Sequence, residues 1–169
     1  MSERTLVARP LTAEAFAPFG QVIDKAVTQP RPMNAGKARR FHDLADILVS
    51  GEASRVVVGL VEAEAYPLPL VFRLVERHPF GAQAFIPLTD APFLVIVCPD
   101  EDGRPGRPQA FVTAPWQGVC YARNTWHGVL TPFGQAQDFV VVDRAGTGVN
   151  LEEFTFPEPW TVAPPEATA

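Results

Sequence analysis

Short apolar runs separated by turn-forming residues make up most of the chain. Each run is rich in Val, Ile, Leu or Phe, and Pro, Gly, Asn or Asp stands between most of them. This spacing is typical of short β-strands joined by turns. The pattern predicts strands or extended segments over residues 21–24, 39–44, 55–62, 70–78, 83–88, 93–98, 109–113, 118–123, 129–130, 137–143 and, at the periphery, 151–156.

One short helix is predicted over residues 12–17, where Thr12 is a suitable N-cap and Pro18 ends the segment. Many short strands with so little helix predict an all-β sandwich or barrel. The 169 residues are 47% apolar, which suits one domain with a sizeable core. We therefore expect a single domain over residues 1–169. Its proline-rich C-terminal tail is expected to be loosely held from about residue 157.

Charge and cysteine usage narrow the classes of function. The net charge is -5, with 14 basic and 19 acidic residues, which argues against nucleic acid or an anionic membrane as the main partner. A small anionic substrate remains compatible with this charge, because its binding needs only one or two well-placed basic side chains. Cys98 and Cys120 each lie in an apolar run and are expected to be reduced and buried. No signal peptide or membrane span is recognisable, so we expect a cytoplasmic protein.

Three polar side chains group where two predicted strands meet. Glu76 and His78 end one strand, and side chains two residues apart on a strand share a face. Pro79 and Gly81 then force a turn, and Gln83 opens the next apolar run. The spacing predicts a polar lip at the end of two adjacent strands. The alternative interpretation is a charged hairpin end without chemistry.

A second apolar run, residues 118–123, also leads into polar groups and reaches His127. The spacing of Glu76, His78 and Gln83 matches a His-x-His-x4-Glu pattern, with Glu and Gln in place of its first and last residues. Gly118 and His127 resemble the second half of the same two-part signature. On these residues the chain resembles the cupin superfamily.

That resemblance implies a cupin-type double-stranded antiparallel β-barrel, jelly-roll-like, with a few short helices. In the superfamily the four signature residues converge inside the barrel, usually on a divalent metal. Glu76, His78, Gln83 and His127 are therefore candidate ligands for Ni, Mn, Zn or Fe. A neutral amide is a poorer ligand than a carboxylate, so Gln83 leaves a metal-free pocket as the alternative.

Further motifs, in order and with compatible spacing, run from residue 11 to residue 146. They are Leu11-Thr12-x-x-Ala15-Phe16-x-x-Phe19-Gly20-x-Val22-Ile23, Asn34-x-Gly36, Arg40-Phe41-His42-Asp43-Leu44-Ala45, Leu74-x-Glu76-Arg77-His78-Pro79-x-Gly81-x-Gln83-Ala84-Phe85-Ile86-Pro87, Gln117-Gly118-Val119, Arg123-Asn124-x-Trp126-His127 and Asp138-Phe139-x-x-Val142-Asp143-Arg144. On these motifs the chain resembles the ureidoglycolate lyase family. The resemblance implies a homodimeric enzyme of allantoin (purine) breakdown that cleaves ureidoglycolate into glyoxylate and urea.

That reaction needs a base, an acid and a group that holds the substrate carboxylate. His78 or His127 is the expected base, because imidazole titrates near neutral pH. Glu76 is the expected acid, provided that burial raises its pKa. Alternatively, all of these side chains ligate a metal.

The substrate-binding residues are predicted from chemistry and from motif position. An arginine can hold a carboxylate with two parallel hydrogen bonds, which makes Arg40 or Arg123 the expected clamp. The resemblance adds three further substrate-binding candidates, namely Asn34, His42 and Gln83.

Two other functions fit the same residues. A metal-dependent cupin oxygenase or isomerase would hold tightly bound Fe or Mn. A non-catalytic module for small acids would bind glyoxylate-like molecules and release no product. Metal analysis and product formation distinguish these alternatives from the lyase.

Overall fold

The computed structural model describes residues 3–164 and is almost entirely β-structure. Its strands, in chain order, are β1 Thr5–Val7, β2 Arg9–Pro10, β3 Gly20–Ile23, β4 Arg31–Met33, β5 Ala38–Arg40, β6 Arg55–Ala63, β7 Leu70–Arg77, β8 Gln83–Pro87, β9 Phe93–Cys98, β10 Asp100–Glu101, β11 Arg104–Pro105, β12 Gln109–Val112, β13 Gly118–Tyr121, β14 Trp126–His127, β15 Thr131–Pro132, β16 Gln137–Ala145 and β17 Glu152–Ala163. The helix α1 spans Ala13–Phe16, and short 3-10 helices span Lys25–Val27 and Asn34–Gly36. As predicted, the Thr12 side chain caps α1 by accepting the N–H of Ala15.

Two sheets make up a nearly closed barrel, which confirms the predicted all-β, cupin-type fold. The larger sheet has the strand order β1-β17-β7-β14-β9-β12-β2, with β15 also paired to β9. The smaller sheet has the order β3-β13-β8-β16-β6. Two hairpins, β4-β5 and β10-β11, stand apart from both sheets.

The main core packs aromatic and branched side chains from both sheets against one another. Strand alternation explains how β9 contributes to it, because successive residues point to opposite faces. Full burial of one such side chain contributes about 1.5–3 kcal/mol. The core members are Leu11, Phe16, Phe19, Val22, Phe85, Phe93, Val95, Val97, Phe111, Val119, Tyr121 and Phe139.

The C-terminal strand is part of the larger sheet, between β1 and β7, and corrects one expectation. Residues 157–163, predicted to be loosely held, belong to β17, which pairs with β7 and in parallel with β1. Trp160 and Val162 are buried there beside Leu70. The register shifts between Thr155 and Trp160, and this interruption of the ladder accommodates Pro157 and Pro159. Residues 165–169 of the predicted tail lie outside the described residues.

Two local predictions also differ from the structure. The extended segment over residues 39–44 is a strand only as far as Arg40, which pairs in the β4-β5 hairpin. Residues 129–130 lie between β14 and β15 rather than in a strand. His127 is opposite Val97 and Thr131 is opposite Leu94, so one extra residue lies on the β14-β15 side. This is the arrangement of a β-bulge.

Cross-strand register brings the predicted polar residues together at one end of the barrel. In the larger sheet, His127 on β14 is directly opposite Glu76 on β7 and Val97 on β9. In the smaller sheet, Gln83 is directly opposite Tyr121.

Two further findings concern the cysteines and the membrane. Cys98 and Cys120 are free and buried, as predicted. Within residues 3–164, no helix has the length and apolar character needed to cross a membrane.

Candidate active site

Glu76, His78 and His127 form the centre of the candidate site. Each offers one ligand atom, and these atoms lie within 4.8 Å of one another. The Nε2 atom of His78 is 4.0 Å from Oε1 of Glu76, and the two imidazole centroids are 5.2 Å apart. The two halves of the sequence signature therefore converge, because β14 pairs with β7 in the register that places His127 opposite Glu76.

Backbone carbonyls fix the tautomer of both imidazoles. Nδ1 of His78 lies 2.7 Å from the carbonyl oxygen of Asn150, and Nδ1 of His127 lies 3.0 Å from that of Gly128. A carbonyl only accepts, so each Nδ1 carries the proton and each Nε2 keeps a free lone pair. Both Nε2 atoms are buried, and neither has a hydrogen-bond partner among the described residues. Buried polar atoms are normally paired, so this arrangement points to a ligand between them.

Gln83 presents a third acceptor to the same end of the barrel. Its amide nitrogen donates to Oδ2 of Asp143 at 3.3 Å, and the N–H of Arg144 donates to Oδ1 of Asp143 at 2.6 Å. With its NH2 group directed at Asp143, Gln83 has its oxygen left for a ligand. That Oε1 atom is buried and has no partner within residues 3–164.

Burial perturbs the titration of the central groups. It raises the pKa of Glu76; interaction with a protonated His78 would oppose this shift, and the charges of Glu153 and Asp143 add to it. A raised pKa is the direction that favours Glu76 as a proton donor. Burial also lowers the pKa of His127 to about 3, against a raising effect of the hydrogen bond to Gly128 and a further lowering by His78. His127 is thus neutral at pH 7.

The aromatic ring of Tyr121 packs against His127. The two rings are stacked, with centroids 4.1 Å apart and planes 5° apart. Burial raises the pKa of Tyr121 above its ordinary value, with a smaller contribution from Glu76. No sequence motif predicted a role for Tyr121, although its position in β13 has the parity of an inward-facing residue.

A framework around the Pro79 turn holds His78. The N–H of Asn124 donates to the carbonyl of His78 at 2.9 Å. The N–H of Phe80 donates to Oδ1 of Asn150 at 2.7 Å. Asn150 was not among the predicted residues, because no local pattern distinguishes it in the glycine-containing segment before β17. Gly81 is part of the same turn, and a Cβ there would lie 2.7 Å from Cβ of Arg144.

Three predicted substrate-binding residues make no side-chain hydrogen bond or ion pair with this cluster among the described residues. Asn34, Arg40 and His42 are exposed, on the β4-β5 hairpin or immediately after it. Within residues 3–164, no hydrogen bond or ion pair joins their side chains to Glu76 or His127.

Arg123 likewise makes no hydrogen bond or ion pair with Glu76, His78 or His127 among the described residues. It is exposed, and its Nη1 atom donates to Oγ of Ser50 at 3.1 Å. Strand β13 ends at Tyr121, so strand alternation does not set the direction of the Arg123 side chain. Arg77 faces away, as alternation predicts, and its guanidinium lies over the ring of Trp126.

The central donors fit a divalent cation. Two imidazole Nε2 atoms with free lone pairs and one carboxylate are ligands that suit Zn, Ni, Mn or Fe. The carbonyls on each Nδ1 provide the outer hydrogen bonds that usually orient metal-binding histidines. Oε1 of Gln83 is available as a weaker fourth donor.

Comparisons with known proteins identify the family of the chain. The family model described as ureidoglycolate lyase matches residues 3–163. The chain is 61% identical to a ureidoglycolate lyase of Chelativorans over 96% of its length and 99% of that protein. It is 58% identical to one of Mesorhizobium japonicum, over 89% of the chain and 93% of that protein. It is 54% identical to ureidoglycolate lyase 2 of Rhizobium meliloti, over 93% and 96%. The chain belongs to the ureidoglycolate lyase family.

Proposed function

We propose that this protein cleaves ureidoglycolate into glyoxylate and urea, a step of allantoin (purine) breakdown. The observation that carries the proposal is the convergence of the free Nε2 atoms of His78 and His127 with the carboxyl of Glu76. Relatives named ureidoglycolate lyase support it at 54–61% identity over most of the chain.

The reaction is an elimination in which no water is consumed. One substrate carbon carries a hydroxyl, a carboxylate and a urea nitrogen. The hydroxyl loses its proton, its oxygen forms the aldehyde carbonyl of glyoxylate, and the bond from carbon to nitrogen breaks. The nitrogen then gains a proton and leaves as urea. The site must therefore remove one proton and deliver one proton within a few ångströms.

His78 and Glu76 have the chemistry for these two transfers. Nε2 of His78 is a bare acceptor and takes the hydroxyl proton. Glu76, whose pKa is raised by burial, donates a proton to the leaving nitrogen. At the end of the turnover His78 holds one proton more and Glu76 one proton fewer; Nε2 and Oε1 are 4.0 Å apart, so a bridging water molecule must carry the proton back from His78 to Glu76. His127 stays neutral and accepts a hydrogen bond from the substrate.

Gln83 suits the urea end of the substrate. A urea group carries several N–H donors, and Oε1 of Gln83 is an acceptor without a partner among the described residues. Asp143 orients the amide through its contact with the Gln83 nitrogen. A site built to accept hydrogen bonds discriminates against a substrate that cannot donate them.

Arg40 is proposed to bind the substrate carboxylate, together with its cross-strand neighbour. Arg31 lies directly opposite Arg40 in the β4-β5 hairpin, and both are exposed. Neither forms an ion pair within residues 3–164. Like charges directly opposite each other are destabilising, so a bound carboxylate would relieve this pair. Arg123 remains a second candidate for the same role, and Asn34 and His42 lie next to the hairpin turn or its end as further contacts.

Glu76, His78 and His127, with Gln83 as the fourth donor, would hold a divalent metal at this site. A bound cation supplies positive charge for the substrate carboxylate and for the oxygen on which charge develops. A metal-liganded His78 cannot also accept a proton through Nε2. Metal occupancy and acid–base use of His78 are therefore alternatives that metal analysis of the active protein separates.

The proposal is tested by incubating the purified protein with racemic ureidoglycolate. We expect equal amounts of urea and glyoxylate and consumption of one enantiomer only. His78→Ala should remove most turnover and keep the fold. His42→Ala, at an exposed position, should retain a larger share of the wild-type turnover. Absence of urea from the wild-type reaction would refute the function. Full activity of His78→Ala would refute the role given to His78.

A homodimer and a cytoplasmic location complete the proposal. Strand β6 is the edge of the smaller sheet and exposes Val56, Val58 and Leu60 on one face. An exposed apolar edge strand is a liability unless it is covered, and a second copy of the chain would cover it. Free, buried Cys98 and Cys120 suit a reducing compartment. Sedimentation of the purified protein tests the dimer.

A further inference from the structure

Asn150 makes two contacts that meet at the catalytic turn. Its backbone carbonyl accepts from Nδ1 of His78 at 2.7 Å, and its side-chain Oδ1 accepts from the N–H of Phe80 at 2.7 Å. The two partners flank Pro79, which has no N–H of its own to join a ladder. One residue therefore fixes both the imidazole and the backbone that carries it.

Before Asn150 the segment is held at Thr147, whose N–H and hydroxyl donate to the carbonyl of Glu52 and whose own carbonyl accepts from Nη2 of Arg144. Residues 146–149 are exposed, and Gly148 has a φ of 86°, in the region that favours glycine. Regular pairing of β17 with β7 begins only at Glu152, opposite Arg77. The side chain of Asn150 thus anchors the segment just before the ladder starts, at the point where the carbonyl must meet His78.

We propose that Asn150 is a positioning residue for His78. Its amide oxygen, bound to the N–H of Phe80, keeps the Asn150 carbonyl against Nδ1 of His78. That contact holds the proton on Nδ1 and leaves Nε2 bare and directed at the substrate. The expected loss of turnover rests on the proposed function, whereas the expected change of the His78 tautomer does not.

The test compares two substitutions that differ in one property. Asn150→Leu has a similar size and removes the oxygen acceptor, whereas Asn150→Asp keeps an oxygen in its place. Val149→Ala is the matched control, because Val149 is the neighbouring residue and is 78% exposed. Kinetics are measured with ureidoglycolate, and ¹⁵N NMR of the full-length, chelator-treated protein at pH 8 reports which imidazole nitrogen carries the proton.

We expect Asn150→Leu to lower kcat by about 10–100-fold, as loss of an outer-shell partner commonly does, with KM changed by less than about threefold. The His78 signals should show a mixture of tautomers in this variant. The His127 signals should not change, because the contact of its Nδ1 with Gly128 is untouched. Asn150→Asp should recover most of kcat and the His78 tautomer, and Val149→Ala should behave as wild type.

Several outcomes would overturn the inference. One is an unchanged His78 tautomer in Asn150→Leu. Another is equal impairment of Asn150→Asp and Asn150→Leu. A third is a parallel change at His127 with a large loss of thermal stability, which would indicate a general structural role. If the wild-type protein releases no urea, the proposed function fails, while the NMR comparison still decides the positioning of His78.

Discussion

The ring of His127 lies parallel to the ring of Tyr121, with centroids 4.1 Å apart. His127 is on β14 of the larger sheet and Tyr121 is on β13 of the smaller one. The stacked pair therefore joins the two sheets at the end of the barrel where the polar cluster lies. It also fixes the plane of the imidazole whose Nε2 faces that cluster.

Replacing Tyr121 by Leu should destabilise the barrel and lower activity together. The substitution removes the stacked ring and leaves a gap beside a fully buried imidazole, at a cost of about 2 kcal/mol or more. Tyr121→Phe retains the ring and is the matched control. The change in the free energy of unfolding is measured in guanidinium chloride rather than in urea, because urea is the expected product of the reaction. Equal stability of the two variants would show that the stack contributes nothing.

Acid should destabilise the protein through His127. The pKa of this group is lowered from 6.5 to about 3 by burial, so between these values the unfolded state binds a proton that the folded state does not. The contribution of neutral His127 to the free energy of unfolding is complete above pH 6.5 and is lost as the pH falls towards 3. Between pH 6.5 and about 4.5 the loss is at most about 3 kcal/mol.

The check is guanidinium unfolding at a series of pH values. His127→Gln should flatten the dependence below pH 6.5, whereas His42→Gln, at an exposed position, should retain it. A wild-type curve that is flat over this range would contradict the buried, neutral state of His127.

Gln83 offers a direct test of metal binding. Gln83→Glu places a carboxylate at the fourth donor position, which a divalent cation prefers to an amide. The same change places a second negative charge next to Asp143. In the wild type, Oδ2 of Asp143 accepts a hydrogen bond from the Gln83 nitrogen at 3.3 Å. The double variant Gln83→Glu/Asp143→Asn removes that repulsion and restores a hydrogen bond.

We expect the double variant to bind Zn or Ni more tightly than the wild type, by about tenfold. Asp143→Asn alone is the control. The measurement is calorimetric titration after chelation, followed by elemental analysis. An affinity no higher than that of the control would argue that Gln83 does not face the metal position.

Sequence was sufficient for the elements whose signals are local. The alternation of β7 and the turn at Pro79 and Gly81 were enough to place Glu76 and His78 on one face. The match to a two-part signature predicted that His127 lies beside Glu76 and His78. The prediction for residues 157–163 was wrong, because their proline content concealed the apolar alternation of Trp160 and Val162, which pair with β7 and are buried in the core.

The supporting residues could not be predicted for a related reason. The importance of Asn150 depends on contacts with residues about 70 positions away, at His78 and Phe80. Tyr121 acquires its role only when β13 and β14 face each other across the barrel. Such relationships are set by tertiary packing, and a single sequence carries no local mark of them.

The hairpin that carries Arg40 gives the last prediction. Arg39 and Arg40 are adjacent on β5, so their side chains point to opposite faces, and only Arg40 is opposite Arg31. If Arg31 and Arg40 together bind the substrate carboxylate, Arg40→Ala and Arg31→Ala should each raise KM by about tenfold or more, since hydrogen bonds to charged groups contribute about 1.5–3 kcal/mol. Arg39→Ala makes the same change of charge in the same strand and should raise KM much less. Steady-state kinetics at two salt concentrations separate a specific contact from general attraction, because only the latter is strongly screened. Equal effects of Arg39→Ala and Arg40→Ala would assign the hairpin a diffuse electrostatic role and would leave Arg123 as the remaining candidate for the carboxylate.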